Sequence, residues 1–206
     1  MGLQRIFLSL LLLIVGQDAG AETIEITRSY WFKEPLPWEA AFRHSTGGRG
    51  REKESIERFR FMETLRVEHE GKRRTFSQVY LRDHGDKEQV FVVTPRGLSN
   101  EFDCRKGVCR RGGGIKLPLG AIELDREIDY TDDDSRNRNL IMVSRVNELF
   151  IPAFGKLTDV IRVERKLIRK DSRELREHIV YYYSREHGRV KAEYKTAPFE
   201  ELVRIK

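Results

Sequence analysis

The chain has few of the residues that usually announce chemistry. It holds only two cysteines, Cys104 and Cys109, and no histidine lies near them in sequence. A zinc site needs four ligands, so the pair does not read as one. Four residues separate the two thiols, where a redox dithiol has two. No serine sits in a G-x-S-x-G elbow. None of Ser29, Ser55, Ser77, Ser144, Ser172 and Ser184 is followed by lysine three residues on. His69-Glu70 lacks the second histidine of a metalloprotease helix, and Gly112-Gly113-Gly114 lacks the Lys-Ser ending of a phosphate loop. Asp132-Asp133-Asp134 lacks the spaced order of a calcium loop and reads as a polar turn. No cofactor or metal is implied. After residue 21 no apolar run exceeds strand length, so no later segment is expected to cross a bilayer, which takes about 20 apolar residues.

What the chain does have begins at its start. Arg5 precedes an uncharged apolar run, residues 6–15 (IFLSLLLLIV), and Gly16-Gln17-Asp18 ends it. Ala19-Gly20-Ala21 then supplies a small-x-small cleavage pattern. Residues 1–21 are expected to be a secretory signal peptide cut after Ala21. No lipoprotein cysteine lies at the cleavage point, and no twin-arginine pair precedes the run. The expectation is a periplasmic or secreted protein, with residues 22–206 as a single domain.

Charged residues make up 35% of the chain and leave a formal net charge of +6. The signs are interleaved, as in Glu52-Lys53-Glu54, Glu57-Arg58 and Glu164-Arg165-Lys166. Interleaving marks solvated faces more than a polyanion-binding stripe. No nucleic-acid partner is expected, whereas attraction to an anionic membrane surface needs only the net charge.

The dominant hydrophobic period is two. Phe59, Phe61, Leu65 and Val67 share one parity; so do Ile122, Leu124, Ile128 and Tyr130; so do Ile179, Tyr181 and Tyr183. That is the pattern of antiparallel strands with one face in water. Turn signals at Glu70-Gly71-Lys72, His84-Gly85-Asp86, Pro95-Arg96-Gly97, Lys106-Gly107, Asp132 to Ser135, Asp171-Ser172 and His187-Gly188 punctuate the runs. The spacing predicts a mainly β protein of nine to eleven antiparallel strands, with one short helix in the segment from Pro37 to His44. Glu52 to Arg58 reads as either helix or the start of a long strand. Arg110-Arg111-Gly112-Gly113-Gly114 reads as a flexible break that separates either two sheet layers or two halves.

With Lys106-Gly107 as a two-residue hairpin loop, Cys104 and Cys109 become a non-hydrogen-bonded cross-strand pair. Their Cα atoms would lie about 4.5 Å apart, within reach of a disulfide, and an oxidising compartment would form it.

Aromatics concentrate near the two ends of the segment after residue 21: Tyr30-Trp31-Phe32, Trp38, Phe42 and Tyr181-Tyr182-Tyr183. Two readings follow. The rings pack a core, or Trp31, Trp38, Tyr181 and Tyr183 line an apolar ligand groove on the sheet. The histidines allow another function: a hydrolase site joining His84, His178 or His187 to a carboxylate. A third reading is a structural component assembled through exposed sheet edges.

From Ile115 onward the chain resembles a module of exported bacterial proteins, many without assigned function. The matching pieces are Lys116-Leu117-Pro118-Leu119-Gly120, Val143 to Glu148, Ile151-Pro152-Ala153-Phe154-Gly155-Lys156, Asp159 to Arg165, and Tyr181 to Tyr194. They are similar to an L-P-L-x-x-G start, a strand ending in a P-A-G-x-F turn, a hydrophobic strand and a Y-Y-A-x-G-x-G-x-V-K hairpin. Here the glycine and phenylalanine of the P-A-G-x-F turn are exchanged. The resemblance implies a strongly bent, curved antiparallel sheet, a half-barrel or open barrel similar to the half-barrels of lipoprotein carriers. The role expected is non-enzymatic: binding an apolar ligand or an envelope partner on the concave face.

Overall fold

The computed structural model describes residues 21–33, 36–45, 52–133, 135–194 and 199–205. The expected signal sequence up to Gly20, the Gly47-Gly48 pair and Asp134 lie outside the described residues. The strands are β1 (Thr23–Ile26), β2 (Trp38–Ser45), β3 (Glu52–His69), β4 (Lys72–His84), β5 (Lys87–Thr94), β6 (Gly97–Arg105), β7 (Val108–Pro118) and β8 (Gly120–Glu123). They continue with β9 (Glu127–Asp129), β10 (Asn137–Val146), β11 (Leu149–Ile151), β12 (Gly155–Leu157), β13 (Val160–Arg169), β14 (Leu175–Ser184), β15 (Gly188–Tyr194) and β16 (Glu200–Ile205). Twelve of them form one antiparallel sheet in the order β7-β6-β5-β4-β3-β2-β16-β15-β14-β13-β10-β9. Two small ribbons, β1-β8 and β11-β12, stand apart from it.

Every turn signal read from the sequence falls between consecutive strands of this sheet. At the tips, Glu70 and Gly71 have φ of 52° and 71°, and Lys106 and Gly107 have 49° and 79°. Two consecutive positive φ values are the primed turn whose twist matches a tight hairpin. The second tip sets Arg105 opposite Val108 and Cys104 opposite Cys109. The cysteines form a disulfide with Cα atoms 4.0 Å apart. It encloses a short loop, so its loss through C104S/C109S should lower stability by about 2 kcal/mol. Urea unfolding of the double variant beside the parent measures this.

The segment expected to be helical is strand β2. Trp38, Ala40 and Phe42 are buried on one face at a period of two, and the small Ala41 is buried on the other. Pairing with β3 on one side and β16 on the other satisfies its backbone. Those ladders outweigh the helix preference of Glu39-Ala40-Ala41. Among the described residues the only helix is a 3₁₀ turn, Arg28–Tyr30. Glu52 to Arg58 opens the 18-residue strand β3.

The expected break at Arg110–Gly114 is also strand, inside β7. The glycines there answer to crowding. A Cβ on Gly112 would sit 2.2 Å from the carbonyl oxygen of Asn100, one on Gly113 would sit 2.8 Å from Nη2 of Arg165, and Gly114 has φ of 69°. Register shifts between β6 and β7 mark the same stretch as a bulged, bent edge.

The sheet curls without closing. Trp31 lies 5.0 Å from Phe91 of β5 and 5.5 Å from Tyr183 of β14, centroid to centroid. Strands far apart in the order therefore face one interior. The main core fills that concave side. A second cluster packs on the opposite face, with Val79, Leu81, Val90, Phe102 and Cys104 buried. The outer part of the β3-β4 hairpin covers it. Its register skips Glu63 and Gln78, and Gln78 has φ of 52°. Past that bend Val67 and Phe76 join the second cluster, and His69 meets the carbonyl of Cys109 at 3.2 Å.

Candidate functional site

The four aromatic residues of the expected groove are buried: Trp31 and Trp38, Tyr181 and Tyr183. Trp31 packs on Phe91 and Tyr183, Trp38 stacks on Phe59 at 4.2 Å, and Tyr181 lies 5.9 Å from Tyr183. Trp31 and Phe32 do not belong to the sheet. They follow the 3₁₀ turn and enter the concave side from outside the ladder, Phe32 stacking on Tyr80 at 4.0 Å. Burial pushes the Tyr183 hydroxyl well above its ordinary pKa, and that hydroxyl has no hydrogen-bond partner among the described residues.

Beside the aromatics the concave face carries buried charge. Glu57 of β3 is fully buried. Arg189 of β15 donates to both its oxygens, at 2.8 and 2.9 Å. Arg82 of β4 donates through Nε at 2.8 Å and also through Nη2. Burial alone would raise the Glu57 pKa, but Arg189 and Arg82 more than offset it and hold the carboxyl below its ordinary value. Arg189 also lies over the Phe42 ring and 3.3 Å from Glu200.

Around this cluster lie His44, Ser55, His84 and Glu200. His44 Nδ1 is 3.4 Å from Glu200 Oε1, and its Nε2 is hydrogen-bonded to Ser55 Oγ. Burial would raise the Glu200 pKa, but Arg189 and the His44 contact take it far below the usual carboxylate range. His84 is 3.8 Å from Glu57, and burial lowers its pKa despite that carboxylate.

A second buried group ties β7 to strands from the other end of the sheet. Arg165 of β13 is fully buried. It donates to Asn139 Oδ1 at 3.0 Å, to the Gly113 carbonyl and to Glu177. Asn139 of β10 donates to the Ile115 carbonyl at 3.0 Å. Side chains from β10 and β13 thus bond the carbonyls of edge strand β7, where no backbone ladder links them. Lys116 sits 3.8 Å from Glu177; burial and Arg165 together bring its pKa down to about 7. A lysine with pKa about 10.5 when unfolded and about 7 when folded makes stability rise with pH between those values. Below pH 7 its cost is complete and constant. Lys116→Met should therefore flatten that rise and add on the order of 1 kcal/mol at neutral pH. Urea midpoints below, at and above pH 7 read both effects.

Outside this seam lies a cleft of about 470 Å³, lined by His69, Arg74, Gly112, Arg136 and Asn137 among others. Of the histidines singled out from sequence, His178 meets Glu164 at 2.9 Å. Glu164 also binds Arg162 and lies near Lys166. His187 lies against Phe154, 4.7 Å between centroids. Neither belongs to the concave cluster. His44, Ser55, Glu57, Arg189, Glu200, Arg165 and Lys116 were not singled out from sequence. The one available signal was parity: His44 continues the alternation of Trp38, Ala40 and Phe42.

No family model matches the chain, and no curated protein or solved structure does. Among the described residues no group of histidine, cysteine and carboxylate side chains is arranged to hold a metal ion. No helix among them is long and apolar enough to cross a membrane.

Proposed function

We propose that the protein is exported to the bacterial envelope and binds an apolar ligand on the concave face of its sheet. The observation that carries this reading is the source of the filling. Trp31 and Phe32 come from a segment outside the twelve-stranded sheet; Trp31 occupies the space between Phe91 of β5 and Tyr183 of β14, and Phe32 lies against Phe59 of β3 and Tyr80 of β4. The backbone ladder of that segment is a four-residue strand paired with β8, and side-chain bonds from Arg28 to Tyr80 and from Tyr30 to Asp159 add to it. The segment therefore has less backbone bonding to lose than any central strand, and segments of that kind open first. In this reading Trp31 stands where the ligand goes, and Trp38, Tyr181 and Tyr183 belong to the wall around it.

Three sequence features support the reading: the signal-like start ending at Ala21, the disulfide suited to an oxidising compartment, and the likeness of residues 115–194 to carrier-type bent sheets. An envelope protein docking on the same face is the variant of this reading in which the apolar group belongs to a polypeptide.

The test is a titration with N-phenylnaphthylamine, a probe that fluoresces in apolar surroundings. Trp31→Ala leaves an apolar cavity, and such cavities accept apolar guests. Saturable binding by the parent, tightened tenfold or more in Trp31→Ala, is the expected result. Absence of saturable binding in both proteins, with the β-sheet circular dichroism intact, overturns the reading.

A further inference from the structure

At the mouth of the concave face three side chains are linked in the order that activates a serine. Trp38, Ala40 and Phe42 alternate along β2, and His44 is the next residue of that series. On β3, Phe42 pairs with Ser55, and on β16, Glu200 pairs with His44. The register therefore puts Ser55, His44 and Glu200 on one face of three neighbouring strands. Glu200 approaches Nδ1 of His44 at 3.4 Å, while Nε2 is hydrogen-bonded to Ser55 Oγ. With Nδ1–H directed at the carboxylate, the Nε2 lone pair is left to accept the serine proton. Burial is graded along the line. Glu200 is 15% exposed and His44 21%, and Ser55 is partly buried. The carboxylate is held ionised by Arg189 and His44.

We propose that Ser55 is an acyl-accepting nucleophile, with His44 as its general base and Glu200 as the residue that positions His44, acting on carboxylic esters. Ser55 Oγ attacks the ester carbonyl carbon, and its proton passes to Nε2 of His44. The tetrahedral adduct collapses, the carbon–alkoxy bond breaks, and the alkoxide takes the proton from His44, leaving acyl-Ser55 and an alcohol. Water, deprotonated by His44, then attacks the acyl carbon; the proton returns to Ser55 Oγ as the carboxylic acid departs. No oxidant, metal or second substrate is required. The assignment is independent of ligand binding at Trp31, because its residues lie on β2, β3 and β16.

The groups around His44 are Glu200 from β16, Ser55 and the register partner Lys53 from β3, His84 from β4, whose ring is 6.0 Å away, and Arg189 and Tyr194 from β15, which both meet Glu200; Glu57 of β3 meets His84 and Arg189. Any pH profile of the reaction belongs to this set.

The deciding experiment treats the full processed chain with an alkyl fluorophosphonate and locates the adduct by tandem mass spectrometry. Release of nitrophenol from p-nitrophenyl butyrate is followed in parallel. The expected result is a single adduct on Ser55, none in Ser55→Ala, and labelling slowed about 100-fold or more in His44→Ala. Glu200→Gln should still label, more slowly, with the midpoint of its pH–labelling curve moved to lower pH. A merely structural glutamate would not move that midpoint. Absence of an adduct on Ser55 in the parent protein, equal labelling of other serines, or labelling undiminished in His44→Ala overturns the assignment. The parent result decides the matter even where a variant fails to fold.

Discussion

Replacing Glu57 with glutamine should cost about 3–5 kcal/mol of folding stability, the largest effect expected of any single substitution in this chain. Glu57 is fully buried, and four nitrogen-to-oxygen contacts from Arg82 and Arg189 converge on it. Glutamine keeps the volume and one acceptor oxygen but removes the charge. Two guanidinium groups, 14% and 6% exposed, would then be left in the interior with too little compensation. For a chain of this size the loss corresponds to a fall in Tm of about 10 °C. The pH dependence gives an independent signature. The folded pKa of Glu57 is depressed, so its contribution is present above the unfolded carboxylate value, about 4.3. It is lost as pH falls through the lower, folded value. Glu200 acts in the same direction, its folded pKa also being depressed. Stability of the parent should therefore fall on acidification below about pH 4.5, and Glu57→Gln should show a shallower acid limb. Thermal melts over that range test both the size and the slope; an unchanged Tm at neutral pH would refute the role given to this cluster.

Arg165→Met should have the second largest effect, and a local one. The side chain is fully buried and joins Asn139, Glu177 and the Gly113 carbonyl. Methionine fills part of the volume and makes none of these bonds. Glu177 keeps a partner, because Lys116 lies 3.8 Å away. The Gly113 carbonyl loses the guanidinium that bonds it. A loss of about 3 kcal/mol is expected from breaking this buried network. The more diagnostic consequence is amide exchange. β7 bonds through its backbone to β6 alone, and its far side is held by Arg165 and Asn139. Removing Arg165 should speed exchange in β7 before it affects the central strands. Uniform acceleration across the sheet would show that the seam is not a separate unit.

The seam also explains a run of residues that looked structureless. Three glycines after two arginines carry no periodic signal, and alone they suggest a loop. In the folded chain the run lies in an edge strand pressed against Asn100 on one side and Arg165 on the other. A side chain at Gly112 would meet backbone, which cannot yield as a flexible side chain would. The requirement for glycine comes from elements 12 and 52 residues away, so no local reading could have supplied it.

The helix expected at Pro37–His44 failed for a related reason. Helix propensity weighs a residue against its near neighbours. β2 is instead bonded to β3 and β16, and β16 lies at the far end of the sequence. Conversely, the hairpins were legible because each is closed by residues adjacent in sequence. The turn at Lys106-Gly107 fixes Cys104 opposite Cys109 without help from the rest of the fold.

Phe59, Phe61 and Val67 show where the two kinds of information part. They share one parity on one strand, which suggested a single buried face. Phe59 is buried in the main core, Val67 in the second cluster, and Phe61 is 43% exposed. The bend near Gln78 turns the hairpin onto the other side of the sheet, and parity carries no memory of a bend.

By itself, then, the sequence determined the β class, the hairpin turns, the cysteine pairing and the alternation that gives each strand a wet and a dry side. These follow from contacts between near neighbours and from a period of two. Only the tertiary structure decided that Trp31 and Phe32 fill the interior of the sheet, and that His44, Ser55 and Glu200 meet on its concave face. Those depend on the curvature and order of strands far apart in sequence, where packing and buried charge, not local preference, set the outcome.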